Sequence, residues 1–108
     1  MDTITREDVQ QALETRSTIK IIDVLDERMY DKYHLPGAIN VPVDNDFDRK
    51  IQSVARDKSE PVIVYCLDSD CEASAKAARL MESLGYEEVY DYQAGKADWK
   101  EAGLPVNS

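Results

Sequence analysis

The sequence holds only two cysteines and one histidine in 108 residues, and that scarcity excludes two common ways of holding a small protein together. Two cysteines cannot build the disulfide framework of a secreted mini-domain. One histidine, with four residues between the cysteines, does not match common zinc-ligand spacing, so no metal and no cofactor is expected. Long apolar runs are missing too. None approaches the roughly 18 residues of a membrane span, and the opening Met1-Asp2-Thr3-Ile4-Thr5-Arg6-Glu7-Asp8 is charged where a signal peptide would be apolar. A cytoplasmic protein with reduced thiols is the expectation. Positive charge is also short: 13 Lys and Arg against 22 Asp and Glu leave a net charge of −9. That balance argues against nucleic acid or an anionic membrane as partner, because both are bound through basic patches. A basic protein partner suits it better, and solubility alone would also account for it. No repeat, low-complexity tract or linker interrupts the chain. Its length suits one domain, residues 1–108, with a single core.

What is present is organised around the stretch from Pro61 to Ser74. Pro61-Val62-Ile63-Val64-Tyr65 is a short apolar run rich in β-branched residues and without polar alternation, as in a strand covered on both faces of a parallel sheet. From Ala73 the period changes: Ala77, Ala78, Met81 and Leu84 share a helical face, Lys76, Arg79 and Glu82 lie largely off it, and Gly85 is the stop signal. Cys66 therefore falls at the carboxyl end of a strand, where open α/β sheets place their ligands. The loop after it ends at a helix amino terminus, whose free N–H groups and positive dipole end favour an anion such as a thiolate.

The rest of the chain reads as alternating helices and strands. Thr5 with Asp8 opens a first helix as a capping box and runs to about Thr15. Ile19 to Leu25 is a strand in which Asp23 is a carboxylate in an apolar setting, to be paired or hydrogen-bonded if buried. Asp26 caps a short helix to Lys32, Leu35-Pro36-Gly37-Ala38 is a turn, and Ile39 to Val43 is a brief strand. Asp44 to Arg56 is a helix with Phe47, Ile51 and Val54 as its buried stripe. Glu88 to Tyr92 gives the last strand, and Ala97 to Ala102 a short segment with the only tryptophan. Tyr65, Tyr90, Tyr92 and Trp99 suit packing better than a substrate cage. The alternation indicates an α/β domain with a mainly parallel sheet.

Three stretches resemble the rhodanese (sulfurtransferase) family. They are Ile22-Asp23-Val24-Leu25 with Tyr30 and His34-Leu35-Pro36-Gly37-Ala38-Ile39-Asn40-Val41-Pro42; Val62 to Cys66 with Ser74-Ala75-Lys76-Ala77-Ala78-Arg79-Leu80; and Val89-Tyr90 with Gly95, Trp99, Gly103, Leu104, Pro105 and Val106. The resemblance implies a three-layer domain, a central sheet of about five strands with helices on both faces. It also implies a mechanism in which the Cys66 thiolate takes sulfane sulfur from a donor, holds it as a persulfide and yields it to a thiol or other nucleophilic acceptor. The loop N–H groups would cradle the persulfide anion. His34 and Asp23 match the family's turn and strand motifs, where structural hydrogen bonds are expected of them.

The loop departs from the family pattern. Leu67-Asp68-Ser69-Asp70-Cys71-Glu72-Ala73 has no glycine, no cation and three acids, and is about two residues longer. A helix terminus favours a nearby anion by about 0.3–1 kcal/mol. One carboxylate about 5 Å away opposes it by roughly 0.8 kcal/mol in water and about 3 at an effective dielectric of about 20. Thiosulfate, a dianion, is therefore expected to be a poor donor. Ser69 and Ser74 are candidate donors to the loop anion, Ser74 alternatively being only a helix cap. Cys71 is either a bystander or a second thiol that attacks a Cys66 persulfide or sulfenic acid and closes a disulfide, which so short a loop would stabilise by only about 2 kcal/mol. Three functions stay open: a persulfide sulfurtransferase, a redox protein using Cys66 and Cys71, and a binding module without chemistry.

Overall fold

Parity along the strands decides where each side chain goes. In β4 (Val62–Tyr65), Val62 and Val64 pack on one face with Phe47, Ile51, Ala77 and Met81, while Ile63 and Tyr65 pack on the other with Val9, Leu35 and Trp99. With every residue buried, the run needs no polar partner face. The computed structural model describes residues 2–15 and 19–108. In chain order the elements are β1 (Asp2–Ile4), α1 (Arg6–Thr15), β2 (Lys20–Asp23), α2 (Glu27–Lys32), β3 (Ile39–Asn40) and α3 (Phe47–Val54), then β4, α4 (Ala73–Ser83), β5 (Val89–Tyr92) and α5 (Gly95–Glu101). The strands form one sheet in the order β1-β5-β4-β2-β3. Every pairing is parallel. Helices α3 and α4 cover one face and α1 and α5 the other, giving the expected three layers. Each fully buried side chain such as Phe47 or Ile51 adds about 1.5–3 kcal/mol by leaving water.

Local signals act where the sequence places them. Thr5 N donates to Asp8 Oδ2 at 3.0 Å and Asp8 N to Thr5 Oγ1 at 3.2 Å, a reciprocal capping box. Asp26 Oδ1 accepts from Met29 N at 2.9 Å and caps α2.

Several boundaries differ from the sequence reading, and the strand expected over Ile19 to Leu25 is confined to Lys20–Asp23. The edge strand β1 was not anticipated: three residues, mostly exposed, pair with β5 from Asp2↔Tyr90 to Ile4↔Tyr92 and complete the five. The strand expected over Ile39 to Val43 stops at Asn40. Pro42 has no N–H to donate, and Val41 N and Val43 N reach Asp23 O and Val24 O, out of the two-residue step of a regular ladder. The helix expected over Asp44 to Arg56 is confined to Phe47–Val54. The final segment starts at Gly95 instead of Ala97. Among the described residues no helix is long and apolar enough to cross a membrane.

Candidate active site

Cys66 follows β4 directly, and parity turns it to the α3/α4 face, where it is 0% exposed. The start of α5 holds the backbone under it. Lys96 N donates to Cys66 O at 3.0 Å and Ala97 N to Leu67 O at 2.9 Å. So close an approach needs Gly95, whose φ is +76° and where a Cβ would lie 2.5 Å from Leu67 O.

Beyond Leu67 the loop folds back on itself. Asp68 does this work: its carbonyl accepts from Cys71 N at 3.1 Å, and its carboxylate Oδ1 accepts from Asp70 N at 3.1 Å. Two loop N–H groups expected to cradle an anion are thus spent inside the loop. Leu67, Asp68, Cys71 and Ala73 are half-buried, whereas Ser69, Asp70 and Glu72 are exposed. The acids therefore do not converge on the sulfur as a group of three. Asp70 and Glu72 face water, where screening weakens them.

The groups that do meet the sulfur come from the turn and from α4. The Cys66 thiol donates to Cys71 O at 3.4 Å and lies 3.6 Å from Ser74 Oγ. Ser74 is not the helix cap. That position belongs to Glu72, which makes no side-chain capping bond, and Ser74 is instead buried with both its hydroxyl and its N–H turned to Cys66. Burial, then the contact with the Cys71 side chain, pushes the Cys66 thiol up to about 11, against the lowering pull of Ser74. At neutral pH the resting group is the thiol.

Asp91 lies behind Ser74. It pairs in register with Val64, so parity places it on the same face as Cys66. It is 1% exposed, and neither carboxylate oxygen completes a hydrogen bond. Burial raises its pKa, with the nearby Ser74 hydroxyl and the Arg79 charge pulling it back. The sequence reading passed over Asp91, and also Lys96, which is fully buried with Nζ donating to Met29 O at 2.6 Å and Tyr33 O at 2.8 Å. Lys96 ties the end of α2 to α5.

Asp23 and His34 are engaged in the frame. Asp23 Oδ1 accepts from Leu25 N at 2.9 Å, its Oδ2 completes no hydrogen bond, and burial raises its pKa. Tyr65, whose hydroxyl accepts from Leu35 N at 3.1 Å, and the Lys96 charge favour its anion. His34 stacks on Tyr30 with ring centroids 3.8 Å apart, its Nδ1 lies 2.9 Å from Tyr30 O, and its backbone pairs with Asn107. A groove of about 370 Å³ runs along residues 3–7, Gln93 and Asp98 and meets the loop at Ser69, but Cys66 does not line it.

A parallel sheet that delivers one buried cysteine from its central strand into a loop closed by a helix start defines an α/β domain built around a cysteine loop. The family model for the Rhodanese-like domain matches residues 5–102, and the chain belongs to that sulfurtransferase family. It is 31% identical over 106 residues to the HTH-type transcriptional regulator Rv0324 of Mycobacterium tuberculosis, covering 98% of this chain and 45% of that protein. It is 29% identical over 104 residues to the thiosulfate sulfurtransferase GlpE of Tolumonas auensis, covering 93% and 92%. The crystal structure of the Alr3790 protein from Anabaena superposes with a TM-score of 0.85 at 28% identity, covering 97% of this chain and 91% of that one. The chain spans about half the length of several curated relatives it matches.

Proposed function

We propose that this chain is a sulfurtransferase that carries sulfane sulfur as a persulfide on Cys66 and passes it to a thiol or other nucleophilic acceptor. The observation that carries the reading is the setting of one sulfur atom: Cys66 directly follows the central strand, with the Ser74 hydroxyl and N–H at the start of α4 turned toward it. A persulfide is a stronger acid than its parent thiol, so those donors would favour its anion where the thiolate is disfavoured. The relationship to GlpE, named a thiosulfate sulfurtransferase, supports the same chemistry.

The loop carries no cation to receive a dianionic donor, so a protein-bound or small-molecule persulfide suits this site better than thiosulfate. The net charge of −9 favours a basic protein as donor or acceptor. The test is sulfur transfer from a small alkyl persulfide to a thiol acceptor. Cys66→Ser should abolish transfer while leaving the circular dichroism spectrum unchanged. Transfer at the wild-type rate in that variant would remove Cys66 from the mechanism.

A further inference from the structure

Cys66 has no exposed surface and does not line the neighbouring groove, so an acceptor coming from solvent is separated from the sulfur by whatever covers it. Cys71 is one of the half-buried residues packed against the cluster around it. The turn closed on Asp68 brings the Cys71 carbonyl to 3.4 Å from the Cys66 sulfur. The Cys71 side chain also helps raise the Cys66 thiol pKa. Both cysteines are free, and Cys71 alone of the two is half-exposed. Building on the sulfur-carrier reading above, we infer that Cys71 discharges the carrier when no external acceptor is present: its thiol attacks the inner sulfur of a Cys66 persulfide, the Cys66–Cys71 disulfide forms, and the outer sulfur leaves as hydrosulfide.

Atoms and electrons balance within the loaded chain. The bond between Cys66 Sγ and the outer sulfur breaks, and its electron pair departs with that sulfur, which is reduced from sulfane to sulfide. The new Sγ–Sγ bond takes the electron pair of the Cys71 sulfur, whose proton passes to the departing outer sulfur so that it leaves as hydrosulfide, and the two cysteines are together oxidised from thiols to a disulfide. An external dithiol restores both thiols.

The direction of attack follows from the leaving groups. Attack on the outer sulfur would expel the Cys66 thiolate, a strong base because burial holds that thiol at about 11. Attack on the inner sulfur expels hydrosulfide, the weaker base and the better leaving group. Geometry agrees, since the Cys71 backbone already lies 3.4 Å from the sulfur that becomes the inner one. The activity is then reduction of sulfane sulfur: persulfide enters, hydrosulfide leaves, and a dithiol is consumed.

The experiment exposes the reduced chain to an alkyl persulfide, removes the donor by rapid desalting into thiol-free buffer, and reads intact mass and peptide connectivity. Wild type should lose two hydrogens, hold no extra sulfur and show a Cys66–Cys71 bridge. Cys71→Ser should gain one sulfur atom on Cys66, and Cys66→Ser none. Wild type that keeps the added sulfur unbridged, just as Cys71→Ser does, would overturn the inference and leave sulfur carriage intact. A bridge in wild type alongside an unloaded Cys71→Ser would overturn it by making the disulfide a direct oxidation. No sulfur and no bridge in any form would overturn both the inference and the carrier reading.

Discussion

Replacing Gly95 by alanine tests whether the start of α5 fixes the Cys66 loop. A Cβ at that position would meet Leu67 O at 2.5 Å, Leu67 C at 2.6 Å and Asp68 N at 2.8 Å, all of them backbone atoms. Real Cβ contacts stay above 3.0 Å, so the Leu67 carbonyl must retreat by at least about half an ångström, or α5 must withdraw. Either movement stretches the bonds from Lys96 N to Cys66 O and from Ala97 N to Leu67 O. The left-handed backbone costs alanine about 1–2 kcal/mol, and overpacking adds about 1–3. Gly103 supplies the control. Its φ is +78°, close to that of Gly95, yet nothing lies within 4 Å of its Cβ position, so only the backbone cost applies. Each kcal/mol lowers Tm by about 4–8 °C in a domain of this size. Gly95→Ala should therefore melt at least about 4 °C below Gly103→Ala. Urea and thermal unfolding give the stability, and the alkylation rate of Cys66, read by peptide mass, should rise in Gly95→Ala alone. Equal stability losses in the two variants, with Cys66 alkylation unchanged, would refute the claim that α5 holds the loop.

Other expectations concern buried ionisable groups. Asp91→Asn should stabilise the fold at neutral pH, because it removes the charge from a buried group with no completed hydrogen bond. Burial raises the Asp91 pKa above the unfolded carboxyl value, so wild type loses stability as pH rises through that range, and the gain from the variant should vanish in acid. For Cys66, the rate of alkylation by a neutral reagent should climb about tenfold per pH unit and level off near 11, where an unperturbed cysteine levels off near about 8.5. The same raised thiol makes the fold lose stability as pH rises from the unfolded cysteine value toward 11, a loss that Cys66→Ser should remove. Neutralising the exposed loop acids, as Asp70→Asn with Glu72→Gln, should raise thiosulfate kcat/KM by less than about fivefold. Added salt should erase that gain.

What the sequence made legible was set by strong local signals. Val62 to Tyr65, apolar without alternation, could only be a strand covered on both faces, and the switch to helical spacing at Ala73 bracketed the Cys66 loop. Thr5 with Asp8 and Asp26 with Met29 cap as read, since such bonds depend on a few neighbouring residues. The misses depend on distant partners. Asp2–Ile4 is too short and too polar to signal a strand, and it becomes one because β5 offers an open edge. Asp91 and Lys96 run against the tendency of charged residues to stay outside, so nothing in composition marked them as buried. Ser74 reads either as a donor to the loop anion or as a cap; the helix begins earlier, and the hydroxyl lies 3.6 Å from the Cys66 sulfur. The three loop acids looked like one repulsive cluster, but Asp68 turns its carboxylate to Asp70 N, and that same turn brings Cys71 onto Cys66.

The most direct measurement of the central claim is peptide mapping of the Cys71→Ser chain after treatment with an alkyl persulfide and alkylation to trap labile sulfur. In that variant no second thiol lies in the loop to discharge Cys66. Sulfane sulfur carried by this fold should appear as one extra sulfur atom on the peptide containing Cys66, and it should be lost on adding a thiol acceptor. An unmodified Cys66 peptide from folded protein, under conditions that load a free cysteine peptide, would contradict the account.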